Sequence, residues 1–240
     1  MKTVFPMVLL VATMTAPAQP QPPAVRPGAV EGFVTFTGNL PVSSAADDAG
    51  LRRPLLDVDA ETRGMRFLVA DLAGEGATAN ASPTAEQTNA PVVIDQQDHT
   101  FVPHLVAVRR GQAVIFTNSD PANHNVRASS PSPTNQFNVF TGAGGRYEHR
   151  FAPDAQGRPV RLDCDIHPWM RAWIYVFDHP HFAVSDARGR FRIASVSPGT
   201  YRLVLRQPDI GYASERSVVV KPGETTRVEI GLSPRDVRTR

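Results

Sequence analysis

Cysteine is nearly absent from this sequence, because Cys164 is the one cysteine among 240 residues. A single thiol excludes a disulfide within the chain. In an oxidising compartment such a thiol must be buried, bound to a ligand or paired with another chain. The sequence around Cys164 is the evidence that distinguishes these three states.

The sequence also has no hydrophobic run long enough to cross a bilayer, which takes about 20 residues. At its start, a short cationic segment precedes an apolar run from Val4 to Met14, and an Ala-Pro-Ala sequence ends at Ala18. These features are typical of a cleaved signal peptide. We therefore predict a signal peptide over residues 1–18, cleaved near Ala18, and a mature chain that is periplasmic or secreted.

Neither sign of charge dominates, since 25 Lys and Arg residues stand against 23 Asp and Glu residues. Basic residues form no run except in the final "PRDVRTR", so a nucleic-acid partner is not expected. The hydrolase motifs Gly-x-Ser-x-Gly and His-Glu-x-x-His are also missing. We therefore predict a protein that is not an enzyme.

A sustained apolar period near 3.6 residues, the mark of an amphipathic helix, is missing as well. The period is instead close to two, as in "TYRLVLR", where Tyr201, Leu203 and Leu205 share one face. Turn sequences such as "SPG" and "KPG" separate the alternating runs. The predicted fold class is all-β, built from β-sandwiches.

Composition divides the chain into six segments. They are a signal peptide (1–18), a Pro-rich linker (19–28), an N-terminal β extension ending in a flexible connection (29–91), a strand-dense domain (92–178), a C-terminal β module (179–233) and a frayed tail (234–240).

The sequence "CDIHPWM" carries the clearest chemistry, with His167 three residues after Cys164 and Met170 three residues further on. Leu162 and Cys164 share the inward face of an alternating strand, and Pro168 keeps His167 in an extended loop. Such a loop can turn its thiol, imidazole and thioether towards one point. It lacks a second nitrogen donor.

His124 is the candidate for that donor. It follows the turn-rich "TNSDPAN" and precedes Cys164 by 40 residues, which leaves room for intervening strands. Two imidazoles, a thiolate and a weak axial thioether form the trigonal site that holds copper for electron transfer. A thioether is a poor zinc ligand, and structural zinc sites usually contain more cysteines. The sequence therefore predicts one copper ion bound by His124, Cys164, His167 and Met170.

Each of these residues also has a structural explanation on its own. Cys164 could be a small buried hydrophobe, Met170 could fill a gap in the core and His124 could be a solvated loop residue. Their joint occurrence at this spacing favours the metal site. Three further histidines lie among polar or turn residues and are predicted to be surface residues: His99, His104 and His149.

His179 and His181, in "DHPHF", form a His-x-His pair. Such pairs bind copper in multicopper oxidases, but those enzymes need several pairs and this sequence has one. We interpret "DHPHF" as an inter-domain linker.

Two stretches carry a family resemblance. "FVPHLVAVRRGQAVIFTNSDPANHNV" resembles the start of a cupredoxin, and "CDIHPWMRAWIYV" resembles the short ligand loop of amicyanin-type cupredoxins. The resemblance implies a Greek-key β-sandwich over residues 92–178 with one type 1 copper on the four candidate ligands. It also implies that Asn125 or Asn123 ties the two loops together, and that electrons pass through a partly exposed His167.

The C-terminal region resembles a second family. "DARGRF" and "PGTYRL" are similar to carboxypeptidase-regulatory-like or transthyretin-like modules, which often open with a Val-x-Gly-x-Val strand. Here "VEGFV", residues 30–34, lies far upstream. We hypothesise that the cupredoxin is inserted into this module, with the strand near 30–37 pairing with strands after residue 182. The combination resembles methylamine-utilisation-like proteins.

The resemblance to cupredoxins implies an exported one-electron carrier with a periplasmic dehydrogenase or a cytochrome c as redox partner. The alternative is a copper-binding or copper-delivery protein, or an envelope adaptor that uses the flanking module. Delivery proteins favour open loops rich in methionine or histidine, which this sequence lacks.

Overall fold

The structure is a computed structural model that describes residues 26–47, 49–74 and 90–238. The predicted signal peptide with its cleavage site lies outside the described residues, as do most of the Pro-rich linker and of the flexible connection. The described chain is all-β, as the alternating pattern predicts, with three short 3-10 helices beside the strands. No helix among these residues is long and apolar enough to cross a membrane.

The strands are numbered in chain order. They are β1 Gly28–Phe36, β2 Val42–Ala46, β3 Arg52–Pro54, β4 Val69–Ala73, β5 Val92–Gln97, β6 Thr100–Val102, β7 Leu105–Arg109, β8 Ala113–Asn118, β9 His124–Ser129, β10 Phe137–Thr141, β11 Arg146–Arg150, β12 Val160–Asp163, β13 Arg171–Phe177, β14 Phe182–Val184, β15 Arg190–Val196, β16 Gly199–Gln207, β17 Tyr212–Val220 and β18 Thr225–Leu232. The 3-10 helices are Pro133–Asn135, Pro208–Ile210 and Pro234–Asp236.

Strands β5 to β13 form the central sandwich. One sheet has the order β10-β9-β12-β13-β7 and the other has the order β11-β8-β5-β6. Strand β13 runs parallel to β7, and β5 runs parallel to β8. Because side chains alternate along each strand, the inward faces bury one apolar core, which includes Ile94, Phe116, Val126, Leu162 and Ile174.

The remaining strands, apart from the separate β2-β3 pair, form the flanking sandwich. Its sheets have the orders β15-β1-β18 and β14-β4-β16-β17. Their inward faces bury a second core, which includes Val34, Phe36, Leu72, Ile193 and Leu203. Strand β4 contributes to this sandwich although it precedes the central sandwich in sequence. Neither the partners of β4 nor its sandwich follow from the alternating sequence pattern.

Strand β1 joins the start of the chain to its end. It pairs antiparallel with β15, with Val30 opposite Ile193, and parallel with β18, with Val34 opposite Ile230. These are the pairings that the insertion hypothesis requires for the strand near 30–37. The flanking sandwich therefore contains strands from both sides of the central sandwich.

Two glycines explain part of the module-like sequence pattern. A Cβ on Gly32 would lie 2.0 Å from a ring carbon of Phe191, so only glycine lets this ring lie against β1. Gly189 has a φ of +77°, and a Cβ there would lie 2.2 Å from the carbonyl oxygen of Val34. The glycines of "VEGFV" and "DARGRF" are thus required where β1 and β15 approach each other.

The two sandwiches meet at a shared junction. Its apolar cluster contains residues of both sandwiches: Phe67, Val69, Leu105, Tyr175 and Phe177. Beside it, Asp209 accepts hydrogen bonds from Trp173 Nε1 (2.8 Å) and Gln207 Nε2 (3.0 Å) and lies 2.9 Å from His104 Nε2. Burial alone would raise the pKa of Asp209, but these hydrogen bonds outweigh it and lower the pKa. His104 is partly exposed but also pairs with Asp209 across the junction, so its prediction as a surface histidine is incomplete.

Residues 234–238 are attached to the flanking sandwich. The Ser233 backbone N–H donates to Asp236 Oδ2 at 2.8 Å, and the Arg238 backbone N–H donates to the Ile210 carbonyl at 2.7 Å. The prediction of a frayed tail is wrong for these residues, because local capping and one long-range backbone bond hold them.

Candidate metal centre

Three side chains from two segments meet at one end of the central sandwich. His124 Nδ1 lies 2.9 Å from His167 Nδ1, and Cys164 Sγ lies 4.0 Å from His124 Nδ1 and 3.8 Å from His167 Nδ1. Together they form the group of potential metal ligands found among the described residues. The structure thus brings together three of the four ligands predicted from sequence.

The triangle of these donor atoms has the size of a metal site. A point in its plane that is equidistant from the three atoms lies about 2.1 Å from each, against metal–imidazole and metal–thiolate bonds of about 2.0–2.3 Å. Two imidazoles and one thiolate are also the donor set of trigonal copper sites. The donor chemistry and the spacing of these residues therefore fit a copper ion.

Strand pairing brings the two segments together. His124 is the first residue of β9, and Cys164 directly follows β12, which pairs with β9 at Asp163 and Arg127. Because β12 also pairs antiparallel with β13, the loop that connects them stays at the end of the sheet where Cys164 lies. The distance of 40 residues in sequence is thus bridged by neighbouring strands.

Backbone hydrogen bonds close the loop that carries Cys164, His167 and Met170. The Met170 N–H donates to the His167 carbonyl at 2.9 Å, and the Cys164 N–H donates to the Met170 carbonyl at 3.3 Å. These bonds place the backbone of Met170 beside that of Cys164. The Met170 side chain is 1% exposed and packs in the same apolar core as Cys164. Its role as an axial ligand stays a prediction.

Asn125 ties the two segments together, as the resemblance to cupredoxins implies for Asn125 or Asn123. Its Oδ1 accepts from the Cys164 thiol at 3.3 Å and from the Asp165 backbone N–H at 2.7 Å. Its Nδ2 donates to Asp165 Oδ2 at 3.0 Å. Asn123, by contrast, is exposed. The structure therefore selects Asn125 as the residue that joins β9 to the ligand loop.

Asp120 orients the first histidine. Its Oδ2 lies 2.8 Å from His124 Nε2, and its two carboxylate oxygens accept from the backbone N–H groups of Asp98 (2.7 Å) and His99 (3.0 Å). Burial would raise the pKa of Asp120, but the hydrogen bonds from His99, His124 and Asp98 outweigh it and lower the pKa. A carboxylate on Nε2 leaves Nδ1 for the metal side of the ring. Sequence reasoning missed Asp120, although its position four residues before His124 was a usable signal.

His99 also lies at this site. Its ring packs edge-on against His167, with centroids 4.7 Å apart, and against His124 at 5.4 Å. Its backbone carbonyl accepts a hydrogen bond from Trp169 Nε1 at 3.2 Å. The His99 side chain is partly exposed, but it also contacts two candidate ligands, so the surface prediction is incomplete. No spacing in the sequence connects it to the ligands, because contact depends on the hairpin of β5 and β6.

The site is buried except at one rim. His124 is 0% exposed and Cys164 is 2% exposed, whereas His167 is partly exposed. Ile166, in the ligand loop, and Phe140, on β10, are large exposed hydrophobic residues. Of the three candidate ligands, His167 is therefore the one that presents an exposed edge to solvent.

The remaining histidines lie away from this site. His149 is half-buried against Phe137 and Phe151, its Nε2 lies 3.1 Å from the Thr134 carbonyl, and burial lowers its pKa. The surface prediction for His149 is therefore incomplete. His179 and His181 lie between β13 and β14, with ring centroids 6.4 Å apart. Burial lowers the pKa of both, for His179 to about 4.

Residues 167–233 match the family model of the carboxypeptidase regulatory-like domain. This confirms the resemblance of the C-terminal region to that family. The match begins inside the ligand loop and includes β13, which pairs within the central sandwich. No curated protein matches the sequence.

Parts of the chain are similar to solved structures. A copper-containing nitrite reductase from Thermus scotoductus SA-01 has 21% identity and a TM-score of 0.33 over 44% of this chain and 27% of that one. A purple cupredoxin from Nitrosopumilus maritimus has 22% identity and a TM-score of 0.30 over 37% and 99%. An amicyanin variant in its Cu(I) state has 19% identity and a TM-score of 0.33 over 45% and 98%. The chain thus spans about a quarter of the reductase and nearly the whole length of the two small proteins.

Proposed function

We propose that this chain is an exported type 1 copper protein that carries single electrons. His124, Cys164 and His167 are its three strong ligands, and Met170 is its axial ligand. The observation that supports this most directly is the triangle of two Nδ1 atoms and one Sγ atom, whose size and chemistry suit copper. Copper held there would exchange one electron between Cu(II) and Cu(I).

The chain's own contribution is a ligand set that is positioned in advance. Asn125 accepts from the Asp165 backbone N–H of the ligand loop, and Asp120 aligns His124. Both contacts are short and mostly buried, so the donor atoms have little freedom to move. Ligands that keep their positions when copper changes its oxidation state lower the reorganisation energy of electron transfer.

The partly exposed edge of His167 is the route that we propose for electrons. The other two strong ligands are buried, and Ile166 and Phe140 give the rim an apolar character. We propose that a redox protein, such as a periplasmic dehydrogenase or a cytochrome c, approaches this rim. Export through the signal peptide predicted at residues 1–18 would bring the chain to the same compartment.

Burial of the ligands favours electron transfer over copper delivery. Delivery requires that a ligand of the acceptor reaches the ion, but His124 and Cys164 are closed off by the core and by Asn125. An electron needs no such access. The carrier role therefore agrees better with the site than the alternative of a delivery protein or adaptor.

Copper binding to the purified mature chain tests the proposal. We expect one equivalent of Cu(II) to produce an intense visible thiolate band and an EPR spectrum with narrow copper hyperfine splitting. Cys164→Ser should lose both signals, because the hydroxyl cannot replace the thiolate. Asn123→Ala, an exposed position near the site, is the matched control and should keep both. A colourless chain with no stoichiometric copper would contradict the proposal.

Two further measurements separate a carrier from a delivery protein. A carrier should be reduced and reoxidised by cytochrome c in stopped-flow experiments while it retains its copper. A delivery protein should instead lose Cu(I) to a competing protein site faster than it exchanges electrons, and this result would favour the alternative.

A further inference from the structure

His179 and His181 lie at the opposite end of β13 from the candidate metal centre. Strand β13 begins directly after Met170 and ends at Phe177, and its seven residues span roughly 20 Å. The pair therefore cannot share an ion with His124, Cys164 and His167. It also borders the junction of the two sandwiches, where the His179 ring lies 5.4 Å from that of Phe177.

Both histidines carry a buried ring nitrogen without a partner. Among the described residues, the Nδ1 atoms of His179 and His181 are inaccessible to solvent and make no hydrogen bond. The whole His181 residue is only 4% exposed. An unpaired buried polar atom destabilises the fold, and two such atoms occur here within one His-x-His sequence. Buried polar groups of this kind are normally satisfied by a partner.

The separation of the rings permits a shared ion. Two imidazoles bound to one ion through metal–nitrogen bonds of about 2.0–2.1 Å have ring centroids no more than about 6.3 Å apart, a limit reached when they bind from opposite sides. The observed separation of 6.4 Å, with the ring planes 25° apart, lies at this limit. Two-coordinate binding from opposite sides is the geometry that monovalent copper and silver ions adopt with imidazoles.

The donor type limits the choice of ion. Burial lowers the pKa of His179 to about 4 and also lowers the pKa of His181, so both rings are neutral near pH 7. Neutral imidazoles suit copper.

We propose that His179 and His181 form a second metal site, which binds one Cu(I) ion through the two Nδ1 atoms. The site would satisfy both unpaired nitrogens at the junction of the sandwiches. It does not depend on the proposed electron-carrier function, because neither histidine contributes to the Cys164 centre.

The direct test uses Ag(I), a diamagnetic and redox-inert substitute for Cu(I), on the full mature chain. Long-range 1H–15N NMR spectra of the histidine rings are recorded as two equivalents are added. We expect the Nδ1 resonances of His179 and His181 to shift with one equivalent and those of His124 and His167 to shift with the other. If His179 and His181 keep their spectra at two equivalents, the proposal is wrong.

Variants test the same point with Cu(I). Anaerobic titration against a chromogenic Cu(I) chelator should give two ions per wild-type chain and one per chain for His181→Phe and His181→Asn. His149→Phe is the matched control, because His149 is half-buried but already lies 3.1 Å from the Thr134 carbonyl, and it should keep two. A second ion retained in both His181 variants would overturn the site. The blue Cu(II) band is measured on the same samples, so loss of the Cys164 centre is recognised separately.

Discussion

Asn125 contacts both of the segments that supply the candidate ligands. Its carbonyl oxygen accepts from the thiol and the backbone of the ligand loop, and its amide nitrogen donates to Asp165 and to Asn138 Oδ1 at 2.8 Å. All four bonds are at least partly shielded from water. At the scale of single residues, Asn125 therefore does more than any other side chain to join β9 to the loop.

Replacement of Asn125 by Ala should weaken both stability and the metal site. The Asp165 N–H and the Cys164 thiol lose their acceptor, and unsatisfied buried groups cost about 1–3 kcal/mol. Urea denaturation of the apo chain should show a loss of that size, and the visible band of the copper-loaded chain should shift. Asn123→Ala should change the free energy of unfolding by less than about 0.5 kcal/mol. Equal effects of the two variants would refute the role assigned to Asn125.

Strand β1 is the element on which the flanking sandwich depends. It is the middle strand of its sheet, between β15 and β18, and its inward residues Val30, Val34 and Phe36 are fully buried. The ring of Phe191 occupies the space that a side chain at Gly32 would need. Because β1 precedes β15 and β18 by more than 150 residues, this sheet forms only when these distant segments come together.

Gly32→Ala should destabilise the flanking sandwich. The new methyl group would overlap the Phe191 ring, and overpacking of this kind costs about 1–3 kcal/mol. Gly231→Ala, on the adjacent strand β18, is the matched control, because its Cβ would meet only Thr35 Oγ1 at 3.9 Å. Thermal unfolding should show a lower midpoint for Gly32→Ala alone, and Phe191→Leu in the same chain should restore part of the loss. A Gly32→Ala chain as stable as wild type would show that Phe191 moves freely.

The whole molecule is held together at the junction around Asp209. This carboxylate belongs to the flanking sandwich, whereas His104 and Trp173 belong to the central sandwich. Because strands of the flanking sandwich lie on both sides of residues 92–178, no single cut of the chain separates the two sandwiches. The junction therefore fixes how the candidate metal centre and the flanking module are positioned.

The junction should make stability depend on acid pH. The pKa of Asp209 is lowered in the folded chain, so the unfolded chain binds more protons at pH values between the folded and unfolded pKa. The stabilisation from Asp209 is then complete above its unfolded pKa of about 3.9 and is lost as pH falls through the folded pKa. Urea denaturation between pH 7 and pH 3 should show a steeper loss for wild type than for Asp209→Asn. Parallel pH profiles would contradict this account.

Much of the ligand loop could be predicted from sequence because its geometry is local. Cys164, His167 and Met170 are three residues apart, Pro168 restricts the backbone between them, and a strand of alternating pattern precedes the thiol. The choice between Asn125 and Asn123 could not be made, since both neighbour His124 and only the pairing of β9 with β12 decides which one reaches the loop. The contacts of His99 and His104 could not be predicted for the same reason, because they come from strands distant in sequence.

The sequence by itself determined the all-β class, through side chains that alternate with period two, and the donor chemistry, through its one cysteine with histidine and methionine at short spacing. Only the tertiary structure shows that His124 lies 4.0 Å from the thiol, that β1 and β4 join strands after residue 182, and that the Nδ1 atoms of His179 and His181 are buried and unpaired. The physical reason is that alternation specifies which face of a strand is buried but leaves its partner open. Which strands pair with each other is determined by the simultaneous packing of all the buried faces.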